Sequence, residues 1–281
     1  MRIIRSIRQM QRAAREAAAA GKTIGVVPTM GYLHEGHLAL VRRAKKAADL
    51  VVVTIFVNPA QFAPGEDFAR YPRDEKGDVK KIRSAGGDLV FIPSAADMYP
   101  PGFQTYVTVG GVTEALEGAV RPGHFLGVAT VVAKLFNIVR PDVAVFGMKD
   151  YQQAVVLRQV ARDLDYPIRM VIAPTVRESD GLAMSSRNAY FKEPQHRAEA
   201  RCLYYALRTA RAMAKAGAVD PKKIRAEMEK VIHGACPSAE IDYIAFTDLW
   251  SVQPAAAVRP GVVCSLAVRV HGVRLIDNMR M

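Results

Sequence analysis

Cysteine is scarce: three residues in 281, Cys202, Cys236 and Cys264, far apart and with no CxxC among them. The odd count argues against a disulfide framework, and the missing CxxC argues against a zinc ribbon. A reducing cytoplasm is the expected compartment. Long apolar runs are missing too. A membrane span needs roughly 20 apolar residues in a row, and the longest run here, Leu50–Val57 (LVVVTIFV), has only the length of a buried strand. The first 22 residues contain no apolar stretch of signal-peptide type. Arg2, Arg5, Arg8, Arg12 and Arg15 recur there at helical spacing and predict an amphipathic helix. No G-x-x-x-x-G-K-[ST] occurs, which disfavours a P-loop ATPase. Internal repeats and low-complexity tracts are also absent.

Negative charge is outnumbered, and the 39 Lys and Arg against 27 Asp and Glu leave a formal charge of +12. That balance admits nucleic acid, an anionic membrane or a phosphate-rich substrate. The cations are dispersed, however, with only pairs such as Arg42-Arg43, Lys45-Lys46 and Lys222-Lys223. Without a dense basic block or an aromatic-interleaved basic stripe, most of them read as a solvated basic surface, and the expected partners are small-molecule substrates, with neither nucleic acid nor membrane.

Apolar residues at 50% and charged residues at 23% describe an ordinary globular chain, long enough for two domains. Short β-branched runs at 24–28, 50–57, 88–93, 142–147 and 168–173 alternate with helical patterns near 36–48, 75–85, 127–139 and 151–164. Near-continuous apolar strands between helices predict βαβ units and a parallel sheet covered on both faces. The expected class is α/β: a Rossmann-like, doubly wound parallel sheet over residues 1–176. A smaller α+β domain is expected over 177–281, with helices at 194–216 and 220–234. Strands follow there at 241–247, 262–270 and 273–276, the last two forming a hairpin at Gly272.

Ligands of doubly wound sheets bind at the carboxyl ends of the strands, so the segments after Pro28, Val57 and Gly147 are the places to search. The first, Pro28-Thr29-Met30-Gly31-Tyr32-Leu33-His34-Glu35-Gly36-His37, runs from a strand into a helix. His34 and His37 share one face if that helix begins near His34. Gly31 and Gly36 permit close backbone approach, and a helix N-terminus offers free N–H groups to phosphate. Zinc would want further ligands, and only Glu35 is near. The second segment, Asn58-Pro59-Ala60-Gln61-Phe62, presents the Asn58 and Gln61 amides, with turn capping as the plainer use of Asn58. Residues 63–74 after it predict a mobile lid.

The third segment is Gly147-Met148-Lys149-Asp150-Tyr151-Gln152-Gln153. Lys149 is a point charge for phosphate, Asp150 a carboxylate for Mg²⁺, and Gln153 lies one turn on. The fourth, Ala183-Met184-Ser185-Ser186-Arg187-Asn188, can wrap a triphosphate with two hydroxyls and a guanidinium, or simply cap a helix. Arg121-Pro122-Gly123-His124 reads as a turn, with no role assigned to His124. Charge stabilisers without a nucleophilic thiol or a Ser-His-Asp set suit in-line attack on an α-phosphate.

MGYLHEGH resembles the HIGH-type motif of the nucleotidyltransferase superfamily, and AMSSRN resembles its KMSKS-type counterpart. Together with FVNPAQF, RPGHFLGVATVVAKLFNIVRPDVAVFG, KDYQQ and DGLAMSSRN, the chain resembles the pantothenate synthetase (pantoate–β-alanine ligase) family. The resemblance implies attack of the pantoate carboxylate on ATP, giving pantoyl adenylate and pyrophosphate. β-Alanine then attacks the acyl carbon, giving pantothenate and AMP. It implies an ATP site from Met30, Gly31, Tyr32, Leu33, His34, Glu35, Gly36 and His37, with Gly147, Met148, Lys149, Asp150, Val176, Met184, Ser185, Ser186 and Arg187. His34, His37 and Lys149 would be catalytic, with His37 the proton donor. Asp150 would hold Mg²⁺, and Gln61, Gln153 and Asn58 would serve pantoate and β-alanine. It further implies a cytoplasmic homodimer. One departure stands out: the family commonly has Gly-Glu-Lys-Asp where this chain has Gly147-Met148-Lys149-Asp150.

Two other readings compete. A nucleotidyltransferase of the same superfamily would act on a different small acid or a phosphorylated acceptor, and the latter would want more cations than Gln61 and Gln153 supply. A nucleic-acid-binding module would bind with steep salt dependence. The remaining ~100 residues leave no room for an anticodon-binding region, which disfavours a tRNA synthetase.

Overall fold

A computed structural model describes residues 1–281. The N-terminal part runs β1 (Arg2–Ile4), α1 (Ile7–Ala19), β2 (Ile24–Thr29), α2 (Glu35–Lys45), β3 (Leu50–Ile55), α3 (Glu75–Ser84), β4 (Leu89–Phe91) and α4 (Ala95–Met98). It continues through α5 (Glu117–Val120), α6 (His124–Val139), β5 (Val143–Gly147), α7 (Tyr151–Asp163) and β6 (Arg169–Ala173). Then come α8 (Pro194–Glu199), α9 (Cys202–Lys215), α10 (Pro221–Ala235), β7 (Glu240–Asp248), β8 (Val262–Val270) and β9 (Val273–Arg280).

Six strands pair in parallel in the order β1-β4-β3-β2-β5-β6. The order reverses between β2 and β5, so the crevice of this doubly wound sheet opens above those two strands. Strand alternation explains the burial. Val26, Val52 and Ala144 face α1, α6 and α7 in one core. Val27, Val51, Val53, Val143 and Val145 face α2 and α3 in the other. A strand apolar on both sides is buried on both sides. The second sheet, β7-β8-β9, is antiparallel and packs on α9 and α10 around Leu203, Leu207, Ile224, Met228 and Leu266.

Three expectations need correction. The N-terminal helix begins only at Ile7, because Arg2–Ile4 extend as the edge strand beside β4. Three residues with one buried side chain carry too little pattern to announce a strand. The helix expected over 194–216 is two helices, α8 and α9, broken at Ala200-Arg201. The last strand runs on to Arg280, past Ile276. The short helices α4 and α5 were not anticipated and are each a single turn.

Candidate functional site

The carboxyl ends of β2, β3 and β5 open into one cavity of about 950 Å³, large enough for a nucleotide and a small acid. After β2 the chain turns through Gly31 and Tyr32, both left-handed at φ 84° and 50°. Asp78 of α3 holds that turn, its carboxylate accepting the Tyr32 and Leu33 N–H groups, each at 2.7 Å. Lys81 Nζ donates to the Leu33 carbonyl at 2.8 Å. Helix α2 then starts with His34 as its N-cap and His37 three residues in. The rings lie 4.1 Å apart, and the His34 N–H donates to His37 Nδ1 at 3.4 Å. That acceptor role leaves Nε2–H as the donor of His37. The His34 ring rests on Gly36, where a Cβ would come within 2.9 Å of it, and His34 Nδ1 has no partner.

Both imidazoles are held neutral. Loss of water, then the charge of Lys149, lowers the pKa of His34 to about 4. Loss of water, then His34 and Lys149, depresses His37 well below the ordinary histidine range. Lys149 and Asp150 lie in a 3₁₀ turn between β5 and the N-terminus of α7. Lys149 Nζ stands 3.5 Å from Asp150 Oδ1, and the Asp150 side chain is 47% exposed. Two helix N-termini, α2 and α7, therefore flank the cavity. Their free N–H groups favour an anion there.

The amides sit opposite. Asn58 Nδ2 donates to Gln61 Oε1 (3.1 Å) and to the Gly127 carbonyl (3.1 Å), while Tyr99 OH donates to Asn58 Oδ1 (2.8 Å). Gly127 allows this packing: a Cβ there would fall 2.2 Å from the Ala60 carbonyl oxygen. Gln61 Nε2 lies 3.2 Å from Met30 Sδ. Gln153 also lines the cavity.

The 183–188 segment closes the far side. Met184 N–H donates to the Val176 carbonyl, and Ser186 Oγ donates to the Tyr32 carbonyl at 3.2 Å. Arg187 makes a forked pair with Asp67 (2.9 and 2.8 Å), which Tyr190 OH also reaches. The segment read as a mobile lid is thus pinned at Asp67, and again at Glu66, which pairs with Arg121 at 2.7 Å.

The cavity brings together Met30, His34, Gly36, His37, Asn58, Gln61, Gly147, Lys149, Asp150, Gln153, Val176, Met184, Ser185, Ser186 and Arg187. Gly31, Tyr32, Leu33, Glu35 and Met148 do not line it. Leu33 is in the core, Glu35 pairs with Arg42 on the surface, and Met148 packs with Leu116, Tyr151 and Val155.

Sequence reasoning missed several contributors. His124 lines the cavity, with Nδ1–H donating to the Gln61 carbonyl (2.9 Å) and Nε2 facing Arg121 Nη1 (3.1 Å). Loss of water lowers its pKa to about 4. Asp277 and Asn278 of β9 tie two site loops together. Asp277 pairs with Arg177 (2.6 Å), and Asn278 Nδ2 donates to the Met148 and Lys149 carbonyls (2.8 and 2.9 Å). The signal available was Asp277-Asn278, a polar pair inside an apolar strand.

A family profile described as pantoate-beta-alanine ligase matches residues 2–280. The chain belongs to the pantoate–β-alanine ligase family. It is 54% identical over 279 residues to the pantothenate synthetase of Heliobacterium modesticaldum, covering 99% of each chain. A crystal structure of this ligase from Thermus thermophilus superposes with a TM-score of 0.93 at 47% identity, over 100% of this chain and 99% of that one. The Francisella tularensis pantoate–β-alanine ligase was solved with beta-gamma ATP and β-alanine. It gives a TM-score of 0.82 at 32% identity over 100% of this chain and 97% of that one. Membership in the pantoate–β-alanine ligase family makes the chain a ligase with ATP as substrate, and it decides against the other nucleotidyltransferase readings.

Proposed function

We propose that the chain condenses pantoate with β-alanine through pantoyl adenylate, in the cavity between β2 and β5. The observation that carries the reading is the pairing of two neutral imidazoles at one helix N-terminus with Lys149 at the next. A carboxylate oxygen of pantoate attacks the α-phosphorus of ATP. The P–O bond to pyrophosphate breaks, and pyrophosphate leaves with its electron pair. The amine of β-alanine then attacks the acyl carbon, the bond to AMP breaks, and the amine proton passes to solvent.

His37 and His34 donate hydrogen bonds to oxygens that gain charge during the first step, and Lys149 offsets the same charge. Uncharged rings stay out of the ground state's electrostatics until the triphosphate arrives, and its negative charge then favours their protonated form. Gln61 and Gln153 hold pantoate, and Asn58 fixes which way the Gln61 amide faces. Met184, Ser185, Ser186 and Arg187 close on the nucleotide from the 177–281 unit, with Val176 at the boundary of the 1–176 unit. The ATP roles of Gly31, Tyr32, Leu33, Glu35 and Met148 reduce to backbone shape. Met148, in place of the family's usual Glu, leaves the Lys149 contacts in place because its own side chain is absorbed in an apolar cluster.

Mg²⁺ suits this site: the Asp150 carboxylate is half-exposed beside the phosphate-handling lysine, and Mg²⁺ binds through one or two carboxylates plus substrate phosphates. Held by Asp150, the ion would neutralise phosphate charge. We also propose a cytoplasmic homodimer. Three free, buried cysteines suit a reducing compartment, no helix is long and apolar enough to cross a membrane, and the family resemblance suggests the dimer.

The test is isotope exchange of pyrophosphate into ATP. Exchange should require pantoate and fail with other hydroxy acids or amino acids. Exchange driven by an amino acid, or none with pantoate, overturns the proposal.

A further inference from the structure

Beside the β8–β9 turn, whose His271 and Gly272 rim the cavity, three chemically different metal donors converge. Glu199 ends α8, Cys236 caps α10 and His271 sits in the turn. One ligand atom from each lies within 4.8 Å of the other two. His271 Nε2 and Glu199 Oε2 are 2.6 Å apart. Cys236 is fully buried, while the Glu199 and His271 side chains keep 17% and 25% of their exposure. The cluster thus has a buried floor and one open side. His196 stacks on the His271 ring at 3.6 Å.

Without an ion the three donors form a hydrogen-bonded cluster, in which Glu199 also accepts from Gln195 Nε2 at 2.8 Å. The Cys236 thiol meets the Ser238 hydroxyl at 3.6 Å, an ordinary sulfur contact, and also reaches the Glu199 carboxylate. His271 is held at φ 48° in the two-residue turn His271-Gly272, a place normally filled by Asn, Asp or Gly.

We propose that Glu199, Cys236 and His271 bind one Zn²⁺ ion, with a water as fourth ligand. A thiolate, an imidazole and a carboxylate form a borderline-soft set that suits zinc; Mg²⁺ and Ca²⁺ want oxygen alone. Tetrahedral zinc at about 2.0–2.3 Å from its donors sets them roughly 3.3–3.6 Å apart. The His271–Glu199 pair, 2.6 Å apart, must open by somewhat under ~1 Å, which side-chain rotation supplies. On coordination the Cys236 proton leaves to solvent. The ion then staples α8, α10 and the β8–β9 turn, three elements of one small unit.

The experiment uses the full chain, stripped by chelator and titrated with Co²⁺ and then Zn²⁺. One equivalent of Co²⁺ should give a near-ultraviolet thiolate-to-metal band and the strong visible bands of a four-coordinate site, which Zn²⁺ bleaches. Stoichiometric Zn²⁺ should raise the melting temperature of the unaltered chain and not that of Cys236→Ser. Cys236→Ser should lose the thiolate band, and Cys264→Ser should keep it. His271→Asn, chosen because Asn accepts the turn's backbone, should fold normally and bind Co²⁺ at least tenfold more weakly. The proposal is overturned by no thiolate band at one equivalent, by a band that survives Cys236→Ser, or by unchanged affinity in His271→Asn.

Discussion

Individual histidines carry most of the chemistry assigned here, and their surroundings decide their charge. In the proposed mechanism His37 works through one hydrogen-bond donor in a water-poor pocket, and a positioned acid–base group of this kind contributes roughly 10²–10⁴-fold. His37→Ala should therefore lower pantoate-dependent exchange by about 10²-fold or more, with the circular dichroism spectrum and melting temperature little changed. An unaltered rate would remove His37 from the chemistry. His124 makes a separate prediction, on stability. Its pKa is lowered in the folded chain to about 4, so the unfolded chain binds more protons between pH 6.5 and 4. The stability linked to a neutral His124 is complete above pH 6.5 and is lost as pH falls through that window. Between pH 7 and 5 the loss amounts to about 2 kcal/mol. Urea titrations of the wild type and His124→Gln at both pH values should show the variant less sensitive by about that amount.

Elements rather than residues decide whether the phosphate-handling groups are in place. The 147–150 turn is held from outside its own sheet by Asn278 of β9, through two carbonyl hydrogen bonds. Each is worth about 1 kcal/mol net, so Asn278→Ala should free Lys149 and slow the first step by roughly tenfold or more. Because the Asn278 amide bonds to the Met148 and Lys149 carbonyls, kcat should fall while KM for pantoate, which we propose Gln61 and Gln153 hold, stays put. A parallel rise in that KM would make Asn278 a general structural residue. This scale also shows how far the sequence could be read. The β-branched runs of β2, β3 and β5 announced themselves because both sheet faces are covered, and the site loops follow at their carboxyl ends by topology. Edge strand β1 was invisible because a three-residue strand has no period to detect. Asp78, Asn278 and His124 were invisible for another reason. Each acts across more than 40 residues of sequence, on a backbone group whose need for a partner exists only after folding.

At the scale of the molecule, the parallel sheet and the antiparallel sheet must stay in register for both halves of the cavity to meet. Glu117 of α5 carries much of that load. Its carboxylate accepts two bonds from Arg274 of β9 (2.8 Å each) and one from Tyr243 of β7 (2.9 Å), with Arg121 at 3.6 Å. Burial opposes the charge, yet Arg274 and Arg121 hold the Glu117 pKa below its ordinary value. The group is therefore ionised at neutral pH, and Arg274 also grips Asp242 at 2.6 Å. Removing one partner from a buried pair leaves the other charge uncompensated and costs about 3–5 kcal/mol. In Glu117→Gln that cost falls on the contact between the two units, while the core around Val26 and the core around Leu266 remain intact. Calorimetry of the wild type should show one cooperative transition, and Glu117→Gln should split it into two or broaden it toward lower temperature. The ATP-dependent step should slow with it, since Arg187 and Lys149, which we propose contact the nucleotide, line the cavity from opposite units. A single transition of unchanged width and midpoint would show that other contacts, such as Arg177–Asp277, suffice to hold the units together.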